Sequence, residues 1–173
     1  TRQFSNESDY KPVQMASEVP FHCPPTNLTL IIVPKVILNP NLIWAQVMHS
    51  NFSIFHKMQA DINALSQASV TSSYIPSVGE MVIVKFFSMQ SFYRAEVLCV
   101  NHDETVDVQF VDLGNRQTVS IEQLHYIQSQ FLTLPKQALR FSLAGLEPAN
   151  ATKTWNDATI ILLRDKILNR RVQ

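Results

Sequence analysis

"FVDLGNRQTV", Phe110 to Val119, is a short apolar run that enters a turn and an alternating run that leaves it. Asp112-Leu113-Gly114-Asn115 has turn chemistry, because Gly accepts positive φ and Asn and Asp hydrogen-bond their own backbone. A plain hairpin turn needs neither an aromatic residue just before it nor an amide just after it. Phe110 and Asn115 therefore raise a second reading, in which the turn is one wall of a binding pocket. Leu113 then stands where a further aromatic would complete that wall.

Short strands recur around this turn. "MVIVKFF", "FYRAEVLCV", "TVDVQFVD" and "RQTVSI" follow one another from Gly79, joined by "SMQS", "NHDE" and "LGN". Four or five strands in fewer than about fifty residues predict a small, strongly bent antiparallel barrel. So small a unit has little core of its own and must lean on its flanks.

Those flanks are legible in outline. Residues 1–25 carry Pro12, Pro20, Pro24 and Pro25 without periodicity and read as a mobile or loosely draped tail. Asn27 to Val33 is a β-branched run and reads as a strand, "PKVILNPN" as a turn, and Leu42 to His49 as a second strand with Ile43, Ala45 and Val47 on one face. Ser53 to Ala68 changes to a helical period, with Phe55, Met58, Ile62 and Leu65 on one face and Ser53 as the expected N-cap. A Ser-rich loop leads to Gly79. After the barrel, "IEQLHYI" reads as a helical turn and Ala138 to Ala144 as an extended run. Ala151 to Arg171 reads as an amphipathic helix, with Trp155, Thr159, Leu162, Leu163 and Lys166 facing the rest.

Composition narrows the function. The 173 residues, 46% hydrophobic and 16% charged, suit one domain or two small intimate ones. Fourteen basic and fourteen acidic residues balance, which argues against a dominant nucleic-acid footprint. Cys23 and Cys99 make neither a disulfide framework nor a zinc site, and a reducing compartment fits them best; Cys99, in "VLCV", reads as a small buried residue. No apolar run is long enough to cross a bilayer as a helix. The five histidines lack metal spacing, and no Gly-rich phosphate loop or catalytic constellation stands out. The expectation is a non-catalytic module without cofactor or metal. Because the chain opens at Thr1, it reads as a piece of a larger protein.

The aromatic spacing is the remaining signal. Phe86 and Phe87 end the first barrel strand, Phe92 and Tyr93 begin the second, and Phe110 ends the third. In a meander these positions fall near one rim, and one member of each pair can fill the core while the other lines the rim. Rim aromatics make a cage for a cation, each contact contributing roughly 0.5–2 kcal/mol. Asn115 can aim its amide oxygen at a guanidinium N–H. On periodicity alone, the same aromatics serve equally well as ordinary core.

The string from Val78 to Val119 resembles a Tudor domain, through Lys85-Phe86, Phe92-Tyr93-Arg94-Ala95 and Asp112-Leu113-Gly114-Asn115. The flanks resemble the extended form, a small five-stranded Tudor barrel inserted into an OB-like, staphylococcal-nuclease-like subdomain. The fold class implied is mainly β with helices. The divisions expected are a tail (1–25), the first part of the subdomain (26–76), the barrel (77–130) and a truncated second part (131–173). The likeness is to the scaffolds of germline small-RNA granules, which bind arginine-rich tails of PIWI-clade Argonautes. It implies a cytoplasmic, perinuclear granule location and a peptide partner. It also carries the methylarginine cage onto Phe86, Tyr93, Phe110, Leu113 and Asn115. The family pattern has Tyr or Phe where this chain has Leu113, so one cation–π face is lost and weak dependence on methylation is expected.

Arg94 and Asp112 read as a structural pair across neighbouring strands, with Asp112 as direct acidic support for the ligand the lesser alternative. Two rivals to the peptide-binding reading stay open. One is a scaffold or self-association domain with a non-functional cage, favoured by Leu113. The other is a single-stranded nucleic-acid binder using the OB-like part, which neutral charge disfavours.

Overall fold

The computed structural model describes residues 13–20, 29–48, 52–68, 75–149 and 152–173. Two antiparallel sheets organise them. One has the order β1-β2-β8, with β1 at Ile32–Asn39, β2 at Leu42–Val47 and β8 at Ala138–Phe141. The other comprises β3 (Met81–Phe86), β4 (Ser91–Val100), β5 (Thr105–Phe110), β6 (Arg116–Ser120) and β7 (Leu124–Tyr126), ordered β6-β5-β4-β3-β7. Sequential strands are neighbours except β7, which returns beside β3 and curls the sheet.

Two-residue alternation divides the apolar side chains of β3 between two cores. Val82, Val84 and Phe86 point into the barrel with Val97, Val108 and Phe110. Met81 and Ile83 point outward under helix α1 (Phe52–Ala68), where Phe55, Met58 and Ile62 meet them. Leu65, expected on that face, is 43% exposed, and Ser66 is buried instead, because the stripe continues by a four-residue step from Ile62. The helix begins at Phe52, so Ser53 lies within its first turn and is not the N-cap. Two amides of α1 serve the edge of β4 that β5 leaves unpaired. Asn63 accepts the Phe92 N–H at 2.8 Å, and Gln59 donates to the Phe92 carbonyl.

Several other elements differ from expectation for identifiable reasons. "PKVILN" is strand, not turn: Pro34 lies in β1, an edge strand whose register with β2 shifts between Pro34 and Val36. The reversal comes at Pro40–Asn41, where Asn39 Oδ1 accepts the Asn41 N–H at 2.9 Å. Cys99 is exposed, not buried, because a bulge between Val97 and Cys99 resets the alternation of β4. Helix α2 is only Asp157–Ile167, capped by Asn156 accepting from the Thr159 N–H at 2.8 Å. It rests on Ile160, Leu163 and Ile167, all half-buried, while Leu162, Lys166 and Ile161 face water. Of the stretch read as a draped tail, residues 13–20 pack. Ala16 and Val19 join the core under α1, the Ala16 N–H donates to the Gly79 carbonyl at 2.8 Å, and the Met81 N–H donates to the Gln14 carbonyl at 2.7 Å. The rest of that tail, Cys23, the start of the first expected strand, and residues 69–74 of the Ser-rich loop lie outside the described residues.

A buried ion pair within the barrel ties it to the segment that leads into β8 and to β2. Arg94 Nη2 lies 2.7 Å from Asp112 Oδ1, and both side chains are fully buried. All five guanidinium N–H groups are used. Nε and Nη2 bond the two carboxylate oxygens of Asp112, Nη1 donates to the carbonyls of Phe131 and Leu134, and Nη2 also reaches the Pro135 carbonyl at 3.0 Å. Asp112 Oδ1 accepts the Gln137 N–H as well, and the Asp112 carbonyl accepts Gln46 Nε2 of β2 at 2.8 Å.

Removing one partner leaves a buried charge uncompensated, at a cost of about 3–5 kcal/mol. Asp112→Ala is expected to lose stability in that range in denaturant titration, and Arg94→Met combined with Asp112→Leu to lose clearly less than Asp112→Ala. A fragment of residues 77–130 lacks the three carbonyls that Arg94 needs beyond residue 130, and is expected to lose the cooperative unfolding transition of the whole chain. Burial lowers the pKa of His125, whose ring packs edge-on against Phe92 at 5.1 Å. The unfolded chain therefore takes up this proton first. The resulting cost is absent above the unfolded value near 6.5 and grows as pH falls below it. Between pH 7.5 and 5.5 the unfolding midpoint is expected to drop more in the wild type than in His125→Gln.

Candidate functional site

Of the aromatic residues singled out in the sequence, Phe86, Tyr93 and Phe110 come together at one end of the barrel, whereas Phe92 packs against the core under α1 and Phe87 faces water. Phe86 ends β3, Tyr93 lies early in β4 and Phe110 ends β5. Ring centroids are 4.8 Å apart for Phe86–Phe110 and 6.3 Å apart for both Phe86–Tyr93 and Tyr93–Phe110, the latter two pairs edge to face. Such arrangements match the positive edge of one ring to the negative face of another.

The turn after β5 brings in the remaining candidates. The Phe110 carbonyl accepts the N–H groups of Leu113 and Gly114, at 3.2 and 2.7 Å, and the Phe110 N–H donates to the Asn115 carbonyl at 2.9 Å. Gly114 has φ +86°, and a Cβ there would lie 2.3 Å from Trp44 Cβ. Glycine is thus required twice, by conformation and by the close approach of β2.

Burial separates the five residues into a floor and a rim. Phe110 is 0% exposed, Leu113 4% and Phe86 8%, while Tyr93 and Asn115 are half-buried. Leu113 packs into the barrel core with Phe86 and Phe110. The Tyr93 hydroxyl donates to Met89 Sδ at 3.3 Å. Burial, with a further push from the Asp112 charge, raises the Tyr93 pKa above its ordinary value, so the phenol stays a neutral donor. Asp112 sits behind the turn with both carboxylate oxygens engaged and no exposed surface, so it has no face to offer a ligand's arginine. The "HDE" string of the β4–β5 turn is exposed, and Asp103 accepts from Thr105.

Three residues at this rim carry no sequence signal. Trp44 comes from the other sheet to press on Gly114. Gln117 of β6 bridges to the end of β3, accepting the Phe87 N–H at 3.2 Å and donating to the Lys85 carbonyl at 3.4 Å. That amide joins two strands that are not paired by backbone bonds. Met89 belongs to a turn that reads as a mere connection. Elsewhere, a shallow groove of about 500 Å³ lies on the outer face of β4–β6, lined by Leu98, Cys99, Asp107, Arg116, Gln117 and Thr118. Among the described residues no group of three or more His, Cys, Asp or Glu is placed to hold a metal ion, and no helix is long and apolar enough to cross a membrane.

Known proteins share this arrangement. The Tudor domain family model matches residues 23–145. Tudor domain-containing protein 1 of Danio rerio is 29% identical over 136 residues, covering 78% of this chain and 11% of that protein. The human ATP-dependent RNA helicase TDRD9 is 31% identical over 137 residues, covering 76% of this chain and 10% of the helicase. The chain thus spans about a tenth of the length of these relatives. The extended Tudor domain of human TDRD1, solved with a symmetrically dimethylated peptide, superposes with a TM-score of 0.78 at 25% identity, over 93% of this chain and 80% of that one. An extended Tudor domain of mouse TDRD1, solved with a dimethylarginine-containing MILI peptide, reaches 0.81 at 20% identity, over 87% and 76%. That of Drosophila melanogaster Papi, solved with an unmethylated Piwi N-terminal peptide, reaches 0.72 at 23%, over 79% and 68%. With two antiparallel sheets joined as in those extended Tudor domains, and the family model matching well over half its length, this chain belongs to the Tudor domain family.

Proposed function

We propose that the chain is a non-catalytic module that binds an arginine-containing N-terminal tail of a PIWI-clade Argonaute, in cytoplasmic perinuclear granules. The observation that carries this reading is the meeting of Phe86, Tyr93 and Phe110 within 4.8–6.3 Å, with Tyr93 and Asn115 left half-open beside them. Tyr93 offers a ring edge and face to a guanidinium, and Asn115 an amide acceptor. Extended Tudor domains of TDRD1 and Papi, solved with MILI and Piwi peptides, support the ligand class. The pocket belongs to the barrel, over residues 77–130, and the flanking segments 26–76 and 131–173 form the subdomain that embraces it.

Methylation is expected to matter little. A full aromatic cage favours dimethylarginine by its bulk and by the weaker hydration of the cation. Leu113 has no quadrupole and is withdrawn into the core, so the missing face costs on the order of 0.5–2 kcal/mol, up to about thirtyfold in affinity. The rival reading, a scaffold with a closed cage, has one observation in its favour: Phe110 is 0% exposed and its ring packs 4.8 Å from Phe86, leaving no empty slot between them.

Calorimetry with one Arg-Gly peptide in unmodified, monomethyl and symmetric dimethyl forms separates the two. The pocket reading expects all three to bind within about tenfold of one another, and Tyr93→Ala to weaken all of them. Leu113→Tyr is expected to strengthen the dimethyl form most, at a stability cost of about 1–3 kcal/mol from overpacking. Absence of binding by every form returns the scaffold reading. A preference for the dimethyl form beyond about a hundredfold, roughly 2.7 kcal/mol, means that Leu113 is no defect.

A further inference from the structure

We infer that the turn between β3 and β4 supplies the wall that Leu113 does not, and that Met89 is the specificity-determining residue of that wall; the inference rests on the pocket reading above. The turn is braced from both sides. Within it, the Met89 N–H donates to the Phe86 carbonyl at 3.2 Å, Gln90 Nε2 donates to the Phe87 carbonyl at 2.7 Å, and Ser91 Oγ donates to the Met89 carbonyl at 3.2 Å. Gln90 takes a left-handed φ of +54°, which an ordinary side chain adopts only at some cost. From β6, Gln117 grips the backbone at Lys85 and Phe87.

So much bracing would be expected to hold something in the core, yet the turn's two large apolar side chains face water. Phe87 is 75% exposed and Met89 51%. Met89 nevertheless has a definite position, with its sulfur accepting the Tyr93 hydroxyl at 3.3 Å. Tyr93 is the one pocket ring that is not buried. A side chain entering beside Tyr93 therefore meets the thioether of Met89, whereas Leu113 lies withdrawn in the core.

A thioether is polarisable and adaptable. It packs against methyl groups and ring edges and carries no quadrupole of its own. A Met89 wall thus makes the pocket tolerant: N-methyl groups gain contact with it, and an unmodified guanidinium loses little by it. The ligand class is an arginine side chain in an extended basic peptide, with its terminal nitrogens between Tyr93 and Met89.

The test uses the whole chain and the same three peptides, with Met89→Ala, Met89→Leu and Tyr93→Ala. Met89→Ala is expected to weaken the symmetric dimethyl form about fivefold and the unmodified form about twofold or less, with the thermal midpoint unchanged. Met89→Leu, which returns apolar bulk without the sulfur, is expected to recover part of the dimethyl-form affinity that Met89→Ala loses, and no recovery at all overturns packing against this wall. A role confined to folding would move all three peptides equally and shift the midpoint, which overturns the inference. If Met89→Ala leaves every affinity unchanged while Tyr93→Ala weakens all of them, the Met89 wall is wrong and the pocket stands. If Tyr93→Ala is also without effect, or no arginine peptide binds, the pocket and its Met89 wall fall together.

Discussion

The buried Arg94–Asp112 pair is the constraint on which the rest depends. Desolvating the two ions costs several kcal/mol each, and their attraction offsets this only if every remaining donor and acceptor is satisfied. Arg94 meets that condition by drawing three carbonyls from Phe131, Leu134 and Pro135, 37 to 41 positions further along the chain. Asp112 meets it by taking the N–H of Gln137, 25 positions on. The segment leading into β8 is therefore held against the barrel by electrostatic necessity, and β8 brings β2 and β1 with it. By contrast, the Lys136–Glu96 pair nearby, at 2.9 Å, is partly exposed and contributes little.

That constraint reaches the candidate pocket directly, because Asp112 opens the turn that ends in Asn115. The turn is anchored on one side by Arg94. On another it is held by Gln46 bonding the Asp112 carbonyl and Ala138 donating to the Val111 carbonyl at 3.1 Å. Trp44 fills the space over Gly114. The rim of the barrel is thus positioned by the other sheet. The barrel segment alone contains all five candidate residues but not the groups that hold their last turn in place.

Much of this was legible, and the failures have local causes. Strands of the barrel showed themselves because "MVIVKF" and "TVDVQF" are β-rich runs bounded by turn residues, and each is buried on the faces that alternation requires. The α1 stripe at Phe55, Met58 and Ile62 is equally clear, and opposite charges on neighbouring strands pair Arg94 with Asp112. What stayed hidden was set by partners distant in sequence. Pro34 reads as a breaker but is tolerated on an edge strand. Cys99 reads as core until a bulge turns it outward. The proline-rich opening reads as tail, yet Ala16 and Val19 fill space that only the assembled barrel and α1 create. At the candidate site, the aromatics announce themselves by type, whereas Met89 and Gln117 sit in ordinary contexts and are brought to the rim only by what lies across from them.

The docking of residues 13–20 also bears on how the chain acquires its shape. The core under α1 draws on Ala16 and Val19 near one end and on Phe131, Leu132 and Leu134 far along the chain, with Gln46 reaching Asp112 across 66 positions. Contacts so distant must close large loops before they return any stabilisation, and chains dominated by them fold slowly. On a ribosome, this segment emerges before the rest of the domain and waits, its apolar residues without a partner until the strands around Gly79 and then the segment through Gln137 have been made. During synthesis the exposed strand edges and unclaimed apolar side chains are the surface that chaperones recognise. The same long-range stitching that joins barrel to flank thus defers completion of the domain until nearly its whole length has been translated.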